Sequence, residues 1–250
     1  MLPPFTELVS SITRSYRELQ HDRGWRFLTV PRKTFESAPE IALITLNPGG
    51  DGPVATQGEA SCEYGCAYRT EPWEEKKGPG ESALQVQILA LLEELRLRLA
   101  PGVDPVHFMD QRVLGAYYMP FRSRSLATLV NPHKSLAFAR SLWTQILSAW
   151  TPRVIVTIDR YAFDGISSIL SERLRNQQPL PKCFPTGWGK CRFESLRWTA
   201  PNGAHTTVVR FPHLSTYKLF SRAASLPRIR DVLDYATRDG TPNGGRHLVW

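Results

Sequence analysis

A chain of 250 residues, 42% hydrophobic and 22% charged, can bury its own core and is too apolar to be disordered in bulk, so one α/β domain over 1–250 is expected. Its formal net charge of +8 suits a polyanionic partner, because lysines and arginines that neutralise phosphates release condensed counterions. No apolar run approaches ~18 residues, and the opening MLPPFTELVSSITRSYREL is punctuated by polar groups. A membrane span and a secretory leader are therefore not expected, and a cytoplasmic monomer is.

In chain order, apolar residues at three- and four-residue spacing predict a helix over 3–20, with Phe5, Leu8, Val9, Ile12, Tyr16 and Leu19 on one face. IALITL (41–46) reads as a buried strand. It stops at Asn47-Pro48-Gly49-Gly50-Asp51-Gly52, and a long Gly/Pro-rich loop holding Tyr64, Tyr68 and Trp73 follows to residue 80. Leu84, Ile88, Leu91, Leu92 and Leu95 predict a helix over 81–100, ended by a Pro-Gly pair. VLGAYYMPF (113–121) is a short strand halted at Pro120. A helix over 135–150, a strand over 153–158 and a helix over about 161–175 come next, then a Pro/Gly-rich loop. Strands over 191–198 and 205–211 flank a Pro-Asn-Gly-Ala turn, a last helix runs over about 219–236, and the tail 237–250 is loosely tied.

Strands alternating with helices predict a three-layer α/β/α fold with a mostly parallel central sheet and one late hairpin. Ligands of such sheets bind beyond the carboxyl ends of the strands. Attention therefore falls on Asn47–Asp51, Pro120–Arg124, Asp159–Arg160 and Pro212–Lys218. Taken alone, LNPGG is a sufficient β-turn, and FPHLST reads equally as a strand end with Ser215 or Thr216 capping a helix.

Cys62, Cys66, Cys183 and Cys191 are spaced C-x3-C and C-x7-C. Only the first pair approaches zinc-site spacing, so reduced thiols and no cofactor are expected, with zinc or an iron–sulfur cluster as the reading set against them.

LITLNPGG resembles the first motif of the uracil-DNA glycosylase superfamily, in the form found in its mismatch-specific and single-strand-selective branches. FPHLST resembles the second motif, His-Pro-Ser-Pro. YYMPFRS resembles the middle strand end that lines the base pocket, and LWTQILSAWTPRVIVTIDRYAF the helix, turn and strand between them. The order of these pieces matches over roughly residues 40–220.

The resemblance implies hydrolysis of an N-glycosidic bond on a flipped nucleotide without a metal or organic cofactor. In these roles Asn47 positions water and His213 donates to a base carbonyl. Pro48, Gly49, Gly50, Asp51, Tyr64, Tyr68, Trp73, Tyr117, Pro120 and Phe121 would form the base pocket. Arg122, Arg124, Arg210, Ser215, Thr216, Tyr217 and Lys218 would contact DNA, with Tyr217 at the wedge position and Arg222 on the same basic face.

The chain departs from the family pattern in three places. Thr45 stands where the first motif opens with Gly, Leu214 and Thr216 replace the prolines of the second, and Tyr117 occupies the position of an Asn that reads uracil. A tyrosine lacks the paired donor and acceptor of an amide. The substrate expected is therefore uracil or another deaminated base, or a hypermodified cytosine such as a sugar-bearing one in phage DNA. A catalytically silent nucleic-acid-binding module is the alternative, and an unrelated α/β enzyme acting on free nucleosides is a third.

Overall fold

The computed structural model describes residues 2–49, 60–174, 179–199 and 204–238. In chain order its elements are α1 (Phe5–Glu18), α2 (Arg32–Glu36), β1 (Ile41–Thr45), α3 (Ala67–Thr70), α4 (Ala83–Leu99), α5 (Pro105–His107), β2 (Val113–Tyr117) and α6 (Pro132–Ala149). They continue with β3 (Val154–Thr157), α7 (Arg160–Arg173), β4 (Leu180–Pro185), β5 (Arg192–Thr199), β6 (His205–Arg210), α8 (Leu214–Tyr217) and α9 (Leu226–Thr237).

The strands form one sheet in the order β2-β1-β3-β6-β5-β4. The first four are parallel, and β5 and β4 add on in antiparallel fashion. β1, β2 and β3 are buried along their whole length, as parallel strands covered on both faces must be.

The strand order itself sorts the helices into layers. From β1 the chain moves outward through α4 to β2, whereas from β2 and β3 it moves the other way through α6 and α7. Right-handed crossovers then put α4 on one face and α6 with α7 on the other. α6 packs on α7, and α4 packs on α8 and α9, completing the three-layer α/β/α arrangement expected from the sequence. The direction of travel reverses between β1 and β3. A crevice opens at such a switch point, at the carboxyl ends of the strands.

Residues 25–29 run antiparallel along the outer edge of β2. The Arg26 amide donates to the Pro120 carbonyl (2.9 Å), the Tyr117 amide to the Phe27 carbonyl (2.9 Å), and the Thr29 amide to the Gly115 carbonyl (2.9 Å). This segment covers an edge that would otherwise present unpaired amides. Residues 60–67 pack against it in turn, through Leu28 N–H to Ala60 C=O and Ala67 N–H to Thr29 C=O, both 2.8 Å.

Three sequence expectations are revised. The region expected to be a Pro/Gly-rich loop contains β4, whose Pro181 and Pro185 are tolerated because it is an edge strand bonded only to β5. The last helix starts at Leu226 rather than near 219. Lys218 adopts a left-handed conformation (φ 46°) that ends α8, and Pro227 in the first turn starts α9. The described end of the 49–80 loop is a packed layer, with Cys62, Cys66, Ala67 and Tyr68 buried. Among the described residues no helix is long and apolar enough to cross a membrane.

Candidate active site

Asn47 leaves β1 at the switch point, and His213 leaves β6. Since β1, β3 and β6 are parallel neighbours, both residues lie at the same sheet edge, separated laterally by two interstrand steps of about 5 Å each.

The β1 and β2 chains stay paired beyond the ladder. Tyr118 N–H donates to Thr45 C=O (2.7 Å), Met119 N–H to Leu46 C=O (2.8 Å) and Ser123 N–H to Pro48 C=O (3.1 Å). The Asn47 side chain completes this seam, its Nδ2 donating to the Ser123 and Pro48 carbonyls at 2.9 Å each. Carbonyl oxygens only accept, so the NH2 end of the amide must face them. Oδ1 is left as an acceptor with no hydrogen-bond partner among the described residues, on a half-buried side chain. At Gly49 an added Cβ would meet nothing within 4 Å among the described residues.

His213 is exposed at the start of α8, and its Nδ1 lies 2.8 Å from Ser215 Oγ. When Ser215 donates this bond, the imidazole proton resides on Nε2, which then faces a ligand as a donor. The Thr216 and Tyr217 amides are committed to the His213 carbonyl at 3.1 Å each, so they are not open to phosphate. Tyr217 is half-buried and Lys218 exposed. Arg222 donates through Nε to the Tyr217 carbonyl (3.1 Å) and lies over the Trp188 ring from the β4–β5 turn.

Tyr117 is buried at the end of β2, among charged groups of which the sequence singles out Arg122 but neither Arg26 nor Glu71. Burial pushes its hydroxyl up to about 12, with the Arg26 and Arg122 cations pulling the other way, so it is a neutral donor at ordinary pH. Beside it, Arg26 Nη1 bonds both carboxylate oxygens of Glu71 at 2.8 and 2.7 Å. Glu71 also accepts from Trp73 Nε1 (3.3 Å) and from the Cys62 thiol (3.4 Å). Gln85, fully buried in the first turn of α4, fixes the Glu71 main chain by donating to its carbonyl at 2.7 Å. Arg122 reaches from β2 to β1, with Nη1 donating to the Gly49 carbonyl.

Several expected site residues have other surroundings. Tyr64 is 90% exposed, and Tyr68 is a core residue with its hydroxyl 3.3 Å from Thr45 Oγ1 and its ring 5.0 Å from that of Trp73. Pro120 is buried. Phe121 stacks between His21 (4.2 Å) and Phe138 (5.4 Å) in the core, since this is where the chain turns inward after β2. Arg210 is paired with Glu194 at 2.5 Å, which commits its charge within the sheet, whereas Arg124 is exposed. Gly50, Asp51 and Gly52 lie outside the described residues.

Cys62 and Cys66 are buried thiols pushed up to about 11 and about 12 by desolvation, while Cys183 is exposed and Cys191 half-buried on the hairpin. Among the described residues no three His, Cys, Asp or Glu side chains come together as a metal site. The shallow depressions along α1, lined by Thr6, Glu7, Ser10 and Arg14, hold no buried charge.

No protein-family model matches the chain, and no curated protein is significantly similar to it.

Proposed function

We propose that this protein is a monofunctional DNA glycosylase of the uracil-DNA glycosylase type, acting on a nucleotide flipped into the crevice between Asn47 and His213. The observation that carries this reading is the Asn47 amide, fixed through Nδ2 with Oδ1 left as an unused acceptor at the switch point. An acceptor fixed through the other end of its amide, with no partner among the described residues, is what a water poised under C1′ of the sugar requires.

In the reaction the C1′–N bond breaks, its electron pair leaves with the base, and the water oxygen bonds to C1′. An amide oxygen is too weak a base to keep the water's proton, so Asn47 orients the water and the proton passes to solvent or to the departing base. His213, donating from Nε2, stabilises negative charge on a base carbonyl.

Tyr117 at the base-reading position offers a hydroxyl, not an amide, and it is flanked by Arg26 and Glu71. This favours a base other than plain uracil, and a hypermodified cytosine of phage DNA is the substrate class we put first. The net charge of +8 supports a DNA partner.

The test is incubation with oligonucleotides carrying uracil, hypoxanthine, 5-hydroxymethylcytosine and glucosylated 5-hydroxymethylcytosine, scoring alkali-labile abasic sites. Release of the glucosylated base and loss of release in Asn47→Ala support the proposal. DNA binding with no abasic product from any base would favour the silent binding module.

A further inference from the structure

Among the described residues the charged cluster at the end of β2 does not balance. Arg26 and Glu71 compensate one another, and the Glu71 carboxylate is saturated: one oxygen accepts from Arg26 and Cys62, the other from Arg26 and Trp73. Arg122 is the cation left over. Its guanidinium is half-buried, its Nη1 is on the Gly49 carbonyl, and its Nε is buried with no hydrogen-bond partner among the described residues. Among the described residues no carboxylate lies within ion-pair distance of it. A cation inset without an anion is unfavourable unless the site serves to receive one.

Its position narrows what that anion is. Arg122 bridges to the turn that carries Asn47, and the next residue, Ser123, supplies the carbonyl that orients the Asn47 amide. Arginines that grip a DNA backbone sit at an exposed rim, as Arg124 does, whereas Arg122 is set back beside buried Tyr117. In such a partly desolvated position a fixed charge acts more strongly than at the exposed rim on charge that develops during reaction.

We propose that Arg122 is a catalytic residue whose guanidinium faces the base as it departs and stabilises the negative charge the base acquires. The assignment rests on the glycosylase reading. Arg122 stays protonated throughout: the C1′–N electron pair goes to the base, water adds to C1′, and no proton is taken from the guanidinium. His213 then supplements this charge from the exposed side of the crevice.

The experiment compares wild type, Arg122→Gln and Arg122→Lys in single-turnover base release at saturating enzyme. Each acts on the modified base that wild type excises and on its 5-fluoro-substituted parent base, whose ring is a better leaving group. DNA affinity is measured across a salt series, and thermal melting checks folding.

The expected result is a loss of about 100-fold or more in the chemical step for Arg122→Gln on the poorer leaving group. The loss should be smaller on the fluorinated base, Arg122→Lys should retain most of the rate, and DNA affinity should be little changed. An unchanged rate with weaker binding and a salt slope shallower by about one would make Arg122 a phosphate contact and overturn the proposal. Equal losses on both leaving groups would also overturn it, by making the role purely structural.

If Arg122→Gln does not fold, Arg122→Met takes its place. A rate loss that shrinks on the fluorinated base supports the assignment, and a loss confined to affinity contradicts it. Wild type inactive on every base removes the glycosylase reading itself, whereas an active wild type with an indifferent Arg122→Gln removes this assignment alone.

Discussion

The Asn47 side-chain amide donates to the Ser123 main-chain carbonyl at 2.9 Å, tying the turn after β1 to the turn after β2. The partner is a carbonyl, so the Ser123 side chain matters little, its Oγ being 3.4 Å away and bonded instead to the Ser125 carbonyl at 2.7 Å. Ser123→Ala should therefore change base release by less than about threefold, a loss worth ~0.6 kcal/mol. Asn47→Asp should be far worse, because it sets a carboxylate oxygen against two carbonyls. We expect a stability loss of about 1–3 kcal/mol by denaturant unfolding, with activity abolished.

His21 gives the fold an acid-sensitive joint. It is buried against Phe121 with Nε2 3.0 Å from Ser135 Oγ, and burial lowers its pKa from 6.5 to about 4, the Asp22 charge opposing only in part. The unfolded chain binds this proton more readily than the folded one. Stability is thus complete above pH 6.5 and falls as pH drops toward 4, by about 3 kcal/mol over that window. His21→Phe should flatten this part of the stability–pH curve, measured by urea unfolding, since Ser135 Oγ keeps its bond to the Val130 carbonyl.

The parallel core was legible because buried strands and amphipathic helices carry strong periodicity. IALITL and RVIVTI end within a residue or two of β1 and β3. Asn47 and His213 could be placed on one edge for the same reason. β4 was not legible, since its two prolines speak for a loop and only its edge position makes them harmless. The cluster around Tyr117 was half hidden. Arg26 sits within the apolar run WRFLTV, a usable signal of a buried cation. Glu71, by contrast, looks like its neighbours Glu74 and Glu75, and nothing in the sequence indicates that Gln85 holds it inward.

The Arg26–Glu71 pair should behave as a buried ion pair whose halves depend on one another, the side chains being 7% and 27% exposed. Glu71→Gln or Arg26→Met alone should cost about 3 kcal/mol, because each strands the other charge. The double variant should cost less than the sum of the two, and a double-mutant cycle in urea reads that coupling directly.

The four cysteines divide into two classes. Cys183 and Cys191 should react with a thiol reagent within minutes in the native protein. Cys62 and Cys66, buried and held as thiols, should react only on unfolding. Fast reaction of all four under native conditions would contradict the packed layer over residues 60–70.

The most direct measurement is single-turnover release of the base from DNA containing glucosylated 5-hydroxymethylcytosine, comparing wild type with Asn47→Ala at matched DNA occupancy. Abasic sites from wild type, with the rate in Asn47→Ala lower by about 100-fold or more and DNA affinity retained, are the expected result. Equal product from both proteins would contradict the role of Asn47. No product from either, on this or any of the other modified bases, would contradict the glycosylase itself.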